Sequence, residues 1–243
     1  MSQFDLVILG GGSGGYAAAL RGSQLGLSVA LIEADKVGGT CLHRGCIPTK
    51  ALLHAAEIAD GARDGSHFGV KSTFDGIDMA GVNSYKDGVI NKLYKGLSGL
   101  VKSRGVTFIE GHGKLVSNDT VEVNGVRYTG KNVILATGSY AKTLPGLDID
   151  GEKIITSDHG TKMNHVPKSV IVLGGGVIGC EFASVWKSFG SEVTIIEGLS
   201  HLVALEDESS SKQLERAYRK RGINFELGVR FKSHTVTADC VTV

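Results

Sequence analysis

The sequence predicts an α/β protein made of two doubly wound, parallel-sheet units, and three observations carry that reading. The chain of 243 residues contains an internal repeat. Each copy opens with a short apolar run that ends in a Gly-rich turn, and closes on a carboxylate at the end of a second apolar run. Short, nearly continuous Val/Ile/Leu runs separated by helix-length segments are the pattern of buried parallel strands.

The first copy runs from Leu9-Gly10-Gly11-Gly12-Ser13-Gly14-Gly15 to Ile32-Glu33. The second runs from Leu173-Gly174-Gly175-Gly176-Val177-Ile178-Gly179 to Ile196-Glu197. They superpose without a gap at an offset of 164 residues, so Gly26 falls on Gly190 and Glu33 on Glu197. In each copy the spacing predicts strand, turn, helix and strand. The strands are residues 4–9 and 28–33, then 169–173 and 192–197, and the helices are 16–24 and 180–189. Gly26 and Gly190 stand where the helices must stop.

Both turns read G-x-G-x-x-G, through Gly10, Gly12 and Gly15 and through Gly174, Gly176 and Gly179. The first Gly permits the tight turn, the second lets backbone approach a pyrophosphate, and the third lets helix and strand pack closely. The helix N-terminus then offers free N–H groups and a favourable dipole to the phosphates. The carboxylates of Glu33 and Glu197 are placed to accept ribose hydroxyls. Two such units imply two dinucleotides, or one duplicated unit with a silent site.

Between the repeats lies Gly38-Gly39-Thr40-Cys41-Leu42-His43-Arg44-Gly45-Cys46-Ile47-Pro48-Thr49-Lys50. On an ideal helix, five residues rise about 7.5 Å, more than the usual Cα separation across a disulfide. A Cys41–Cys46 bridge therefore needs a loop or a distorted turn, to which Gly45 and Pro48 contribute. A bridge held that way is readily reduced, as a redox carrier requires. Two other readings stand beside it: a zinc site, which would need a ligand beyond Cys41, His43 and Cys46, and a pair of small buried thiols. No metal is expected.

Composition narrows the remaining classes. Hydrophobic residues make up 42% and charged residues 21%, with a net charge of +1. Neither a nucleic-acid nor a membrane partner is expected from such a balance. No apolar run spans a bilayer, and the start of the chain lacks a secretory pattern, so a cytoplasmic location is expected.

The segment around the two cysteines resembles the redox-disulfide signature of the flavoprotein disulfide reductases, a family that includes dihydrolipoamide dehydrogenase, glutathione reductase and mercuric reductase. The resemblance extends over the whole chain, through the two Gly-rich turns and through Ala136-Thr137-Gly138 after an apolar strand. The family often carries Asn-Val at His43-Arg44, a departure that spares both cysteines.

The resemblance implies two Rossmann-like domains of three-layer ββα type. A FAD domain covers 1–145, and an NAD domain covers 146–243. A later segment completing the FAD domain and a C-terminal interface domain, which supplies a His-Glu base across a homodimer, are expected outside this chain. If the molecule ended at Val243, weak FAD binding and poor dithiol turnover would be expected.

By the same resemblance, FAD contacts Gly10, Gly12, Gly15, Glu33, Thr40, Lys50, Gly113, Thr137 and Gly138. NAD contacts Gly174, Gly176, Gly179 and Glu197, with Val177 gating the nicotinamide and Glu181 paired to Lys50 beside the flavin. Glu197 suits a 2′-hydroxyl and would repel a 2′-phosphate, so NAD is expected over NADP. Cys41 is the implied interchange thiol and Cys46 the thiol facing the flavin. The implied activity is oxidation of a small dithiol such as dihydrolipoamide by NAD+, with a 2-oxoacid dehydrogenase complex as a candidate partner. Alternatives are a glutathione-, mycothione- or mercuric-type reductase, or a non-catalytic nucleotide-binding fragment.

Overall fold

The computed structural model describes residues 2–243; Met1, the first residue of the expected 1–145 domain, lies outside the described residues. The chain divides into two compact units, one of residues 1–48 and 87–140, the other of 49–86 and 141–243.

The first unit is built on a sheet of order β3-β2-β1-β6-β5-β4. Its strands are β1 (Ser2–Leu9), β2 (Val29–Glu33), β3 (Thr107–Glu110), β4 (Gly113–Leu115), β5 (Thr120–Val123) and β6 (Val126–Leu135). β1 pairs in parallel with β2 and β6, and β2 with β3, while β4, β5 and β6 form an antiparallel meander. Side chains alternate across β1 and β2. Leu6, Ile8, Val29 and Leu31 bury against α1 (Ser13–Gln24) and α4 (Met79–Ser103) through Ala19 and Val101. Val7, Ala30 and Ile32 bury on the opposite face, against Val121 and Val123 of the meander. The unit thus has helix, parallel-sheet and antiparallel-strand layers. β6 joins the last two: it pairs with β5 over Val126–Thr129 and with β1 as far as Leu135. Burial on both faces explains why β2 reads as an unbroken apolar run.

The second unit centres on a parallel sheet of order β7-β8-β9, formed by Ser169–Leu173, Glu192–Glu197 and Asn224–Leu227. α6 (Val177–Phe189) and α7 (Glu208–Arg221) belong to it, with the short α5 (Ser157–Gly160) and a terminal hairpin of β10 (Thr235–Val236) and β11 (Val241–Thr242). Its core joins Phe182, Val185, Trp186 and Phe189 of α6 to Val193 and Ile195 of β8, Tyr218 and Ile223, together with Leu52 and Ala56 of α3. α3 (Cys46–Asp64) follows the short α2 (Gly39–His43), and a 3₁₀ turn at Gly65–Phe68 follows α3.

Two expected boundaries shift. The helices of the repeat begin at Ser13 and Val177, three residues before the expected 16 and 180. The last three fingerprint positions form the first helical turn, capped by Gly12 and Gly176 in extended conformation. Their N–H groups are therefore the unpaired ones that face outward from the helix start. Pro48 does not help to break the cysteine segment; it sits in the first turn of α3, where its missing N–H has no intrahelical role. Among the described residues no helix is long and apolar enough to cross a membrane.

Candidate functional site

The first Gly-rich turn lies at the carboxyl end of β1, between β2 and β6, where the strand order reverses. Open α/β sheets bind ligands at such a switch point. The backbone is too close there for a side chain. Gly10 has φ +107, and a Cβ on it would meet the Ala136 carbonyl oxygen at 2.1 Å. A Cβ on Gly15 would lie 1.7 Å from the Gly10 carbonyl oxygen. Thr137 and Gly138 follow Ala136, whose N–H donates to the Leu9 carbonyl at 2.8 Å, so the segment after β6 runs along this turn.

The second turn repeats the carboxylate-to-backbone contacts of the first, although a Cβ on Gly174 would meet nothing within 4 Å. The N–H of Gly11 donates to Glu33 Oε2 at 2.6 Å, and that of Gly175 to Glu197 Oε2 at 2.6 Å. The other carboxylate oxygen accepts from Asp35 N–H at 2.9 Å in one copy and from Leu199 N–H at 2.7 Å in the other. A Cβ on Gly179 would stand 2.0 Å from the Gly174 carbonyl oxygen, as at Gly15. Each glutamate therefore shapes its turn, and each oxygen keeps capacity for a further donor.

Both turns suit a dinucleotide. Neither helix has a side-chain cap or an acidic residue in its first turn, so the N–H groups and dipole there are uncompensated. Nothing lies within 4 Å of a Cβ built on Gly176, and the nearest atom to one on Gly12 is 3.8 Å away. The protein thus leaves open the space that backbone-to-phosphate approach needs. Val177, at the start of α6, is 52% exposed, leaving an apolar side chain beside the second turn.

Gly113 opens β4 and has a packing reason of its own. A Cβ there would come within 2.4 Å of Leu9 Cδ1 and 3.0 Å of Ile32 Cγ2.

The helix holding the cysteines breaks where the spacing argument requires. α2 ends at His43, Arg44 leaves helical geometry at φ −138, and α3 starts at Cys46. Cys41 and Cys46 come together as free thiols, Cys41 partly buried and Cys46 exposed. Burial lifts the Cys41 thiol above its usual range, and the neighbouring Cys46 side chain adds to that as a hydrogen-bond partner and a like charge. His43 is turned away from the pair: its Nε2 lies 3.0 Å from the Val37 carbonyl and its ring packs edge-on against Tyr94. No cluster of metal-ligating side chains occurs among the described residues. Thr40 is an exposed residue of α2.

Within the second unit, Lys50 Nζ meets Glu181 Oε1 at 2.5 Å. Lys50 remains largely exposed and Glu181 is mostly covered, so the ammonium is held in place and still open to a further anionic partner. Beyond that pair, α3, α6 and α7 share a polar cluster that sequence reasoning missed. Ser188 Oγ donates to Asp60 Oδ2 at 2.6 Å and accepts from Arg221 Nη2 at 2.7 Å, and Arg63 pairs with Asp60 at 2.8 Å. These residues are far apart in sequence and fall in no motif, so only the fold brings them together.

Cys180 lies next to Glu181 but is inert by position. It is buried, its Sγ points at the Gly175 carbonyl, and burial pushes its thiol up to about 11. Alkylation of the folded protein is therefore expected to spare Cys180 while it modifies Cys41 and Cys46. Peptide mass mapping would show Cys180 labelled only after unfolding or in strongly alkaline solution, because the thiolate is the reactive form.

A family profile for pyridine nucleotide-disulphide oxidoreductases matches residues 4–243. The chain is 41% identical to a dihydrolipoyl dehydrogenase of Bacillus subtilis (strain 168), over 97% of its own length and 52% of the relative. It is 40% identical to a leghemoglobin reductase of Vigna unguiculata, over 98% of its length and 47% of the relative. The crystal structure of LpdA from Mycobacterium tuberculosis superposes with a TM-score of 0.88 at 26% identity, covering 99% of this chain and 54% of that one. The chain thus spans about half the length of the curated relatives it matches, and members of the family use FAD and NAD(H). With two Gly-rich turns and, between them in sequence, a thiol pair, the chain belongs to the pyridine nucleotide-disulphide oxidoreductase family.

Proposed function

We propose that this protein oxidises a small dithiol of the dihydrolipoamide type with NAD+, using Cys41 and Cys46 as the redox pair. In this reading residues 1–145 are the FAD domain and residues 146–243 the NAD domain. The observation that carries it is the pair of adjacent thiols that follows the first of two turns whose carboxylate contacts repeat each other to the oxygen.

The exchange balances as follows. A substrate thiolate attacks Cys41 Sγ of the oxidised pair, and the Cys41–Cys46 bond breaks with Cys46 leaving as thiolate. The second substrate thiolate attacks the mixed disulfide, closing the substrate's own disulfide and releasing Cys41. Two electrons have then passed from substrate to the cysteine pair, and the two protons of the substrate thiols have gone to solvent. FAD held by Gly10, Gly12, Gly15 and Glu33 would supply the acceptor for that electron pair, and with one proton taken back from solvent would supply hydride chemistry toward NAD+.

In this reading Gly10, Gly12, Gly15 and Glu33 hold FAD, with Thr40, Gly113, Thr137 and Gly138 lining it. Gly174, Gly176, Gly179, Val177 and Glu197 hold NAD. Lys50, oriented by Glu181, is the cation that stabilises negative charge on the reduced flavin. Glu197 favours NAD over NADP: a carboxylate at the end of the second strand suits a 2′-hydroxyl and would repel a 2′-phosphate, and the next residues, Gly198-Leu199-Ser200, bring no cation to offset it. We assign the working protein to a homodimer in the cytoplasm, whose reducing conditions suit accessible thiols, and place it in the service of a 2-oxoacid dehydrogenase complex.

Anaerobic addition of dihydrolipoamide to the flavin-loaded protein tests the proposal. The expected result is a long-wavelength absorption band from a thiolate lying against the flavin, followed by return of the oxidised spectrum on adding NAD+ but not NADP+. An unchanged spectrum with dihydrolipoamide would reject dithiol oxidation. Equal recovery with NADP+ would reject the role given to Glu197.

A further inference from the structure

The middle glycine of each Gly-rich turn is held through both of its polar backbone groups. In the first copy the Gly11 N–H donates to Glu33 Oε2, and the Gly11 carbonyl accepts from the Gly38 N–H at 2.8 Å. In the second the Gly175 N–H donates to Glu197 Oε2, and the Gly175 carbonyl accepts from the Val203 N–H at 2.7 Å. The segment after each glutamate therefore folds back onto its own turn. The two copies reach that bond differently. Gly38 takes φ +114 without a Cβ to clash, whereas the β-branched Val203 stands at φ +45. A β-branched residue stays in the left-handed region only where its surroundings over-determine it.

At Val203 those surroundings come from α7. Leu202 is fully buried, and a Cβ on Gly175 would stand 2.6 Å from Leu202 Cδ2, so the loop lies directly on the turn. The Leu202 N–H donates to Glu215 Oε1 at 3.2 Å, and Glu215 is itself buried. Its other oxygen lies 3.5 Å from Arg219 Nη2 one helical turn on. Without that oxygen the Leu202 N–H would be a buried donor with its desolvation uncompensated.

We propose that Glu215 is a positioning residue for the second turn: by holding the Leu202 N–H it keeps the Val203 N–H on the Gly175 carbonyl, which aims the N–H of Gly176. The proposal rests on the reading of that turn as the NAD site. The Gly175 carbonyl and the Gly176 N–H belong to one planar trans peptide and point in opposite directions. Fixing the carbonyl on Val203 therefore fixes the N–H on the far side, at the cap of α6, where backbone N–H groups receive a pyrophosphate. Cys180 Sγ, 3.3 Å from the same carbonyl, takes up its remaining accepting capacity. A turn whose donors are already aimed spares the ligand the work of ordering them. Glu215 serves here as an acceptor oxygen and not as a charge, so a neutral amide in its place keeps the contact.

The test compares the flavin-loaded full chain with Glu215→Ala and Glu215→Gln by two measurements. Amide hydrogen exchange, read by mass spectrometry over residues 174–179 and 198–206 without nicotinamide, reports the clamp itself. Calorimetric titration with NAD+ reports the site. Glu215→Ala is expected to speed exchange in both segments at least about tenfold. It is expected to weaken NAD+ at least about fivefold while flavin content stays at the parent level. Glu215→Gln, which keeps the acceptor oxygen, should restore both. Circular dichroism reports folding, and if the alanine variant does not fold, Glu215→Leu, which fills the space without an acceptor, carries the same expectations. Parent-like exchange in the alanine or leucine variant overturns the proposal. Faster exchange with unchanged NAD+ affinity also overturns it, as does a glutamine variant that behaves like alanine. Exchange needs no nicotinamide, so a parent chain that bound no NAD+ would sink the reading of the second turn and leave the clamp to be decided by exchange alone.

Discussion

Replacing Cys46 with serine is expected to lower dithiol-dependent NADH formation at least about a thousandfold, equivalent to roughly 4 kcal/mol of barrier, while the protein stays yellow. Serine nearly matches cysteine in size, and Cys46 is exposed at the start of α3, so no core contact is lost. What disappears is the second sulfur. Cys41 can then be attacked only as a lone thiol, there is no S–S bond to accept two electrons, and nothing departs as the leaving thiolate. Dye reduction by NADH is the control, because electrons then enter from the nicotinamide and never cross the cysteine pair. The expected combination is lost dithiol oxidation with dye reduction kept. Dithiol oxidation at the parent rate in Cys46→Ser would remove the cysteine pair from the mechanism.

How much of this was legible in the sequence depends on how local each feature is. The two turns were legible because their chemistry is written in consecutive residues: Gly10, Gly12 and Gly15 have no room for a side chain or face a ligand's approach, and Glu33 sits at a fixed distance along one strand. The break between Cys41 and Cys46 followed from helix geometry alone, although Pro48 turned out to start a helix instead of ending one. The starts of α1 and α6 were misjudged because three glycines in a short segment read as loop, whereas capping by an extended Gly lets the fingerprint itself become helix. The antiparallel layer was implied by resemblance alone; the short strands β4 and β5 carry no periodic signal that separates them from loop, and Val121 and Val123 bury against β1 and β2 only through tertiary packing. The Asp60–Ser188–Arg221 cluster was not legible either, since its members lie on three helices and share no spacing.

In the proposed reading each turn takes its own cofactor, FAD the first and NAD the second, and paired substitutions separate the two. Gly179→Ala is expected to weaken NAD binding about tenfold to a hundredfold, roughly 1.4 to 2.7 kcal/mol, with flavin retained. The added methyl would lie 2.0 Å from the Gly174 carbonyl oxygen, and a backbone atom cannot swing aside as a flexible side chain would. The first turn of α6 must move off β7, which carries its N–H groups away from the pyrophosphate. Gly15→Ala makes the equivalent collision at 1.7 Å from the Gly10 carbonyl oxygen, and is expected to yield colourless protein that still binds NAD. The two collisions fall in different units, each with its own core, so damage from one need not spread to the other. Flavin absorbance after gel filtration and NAD titration by calorimetry read the two outcomes independently. If Gly179→Ala loses the flavin and Gly15→Ala loses NAD, the cofactors are reversed between the copies, and with them the direction of electron flow argued from the thiol pair.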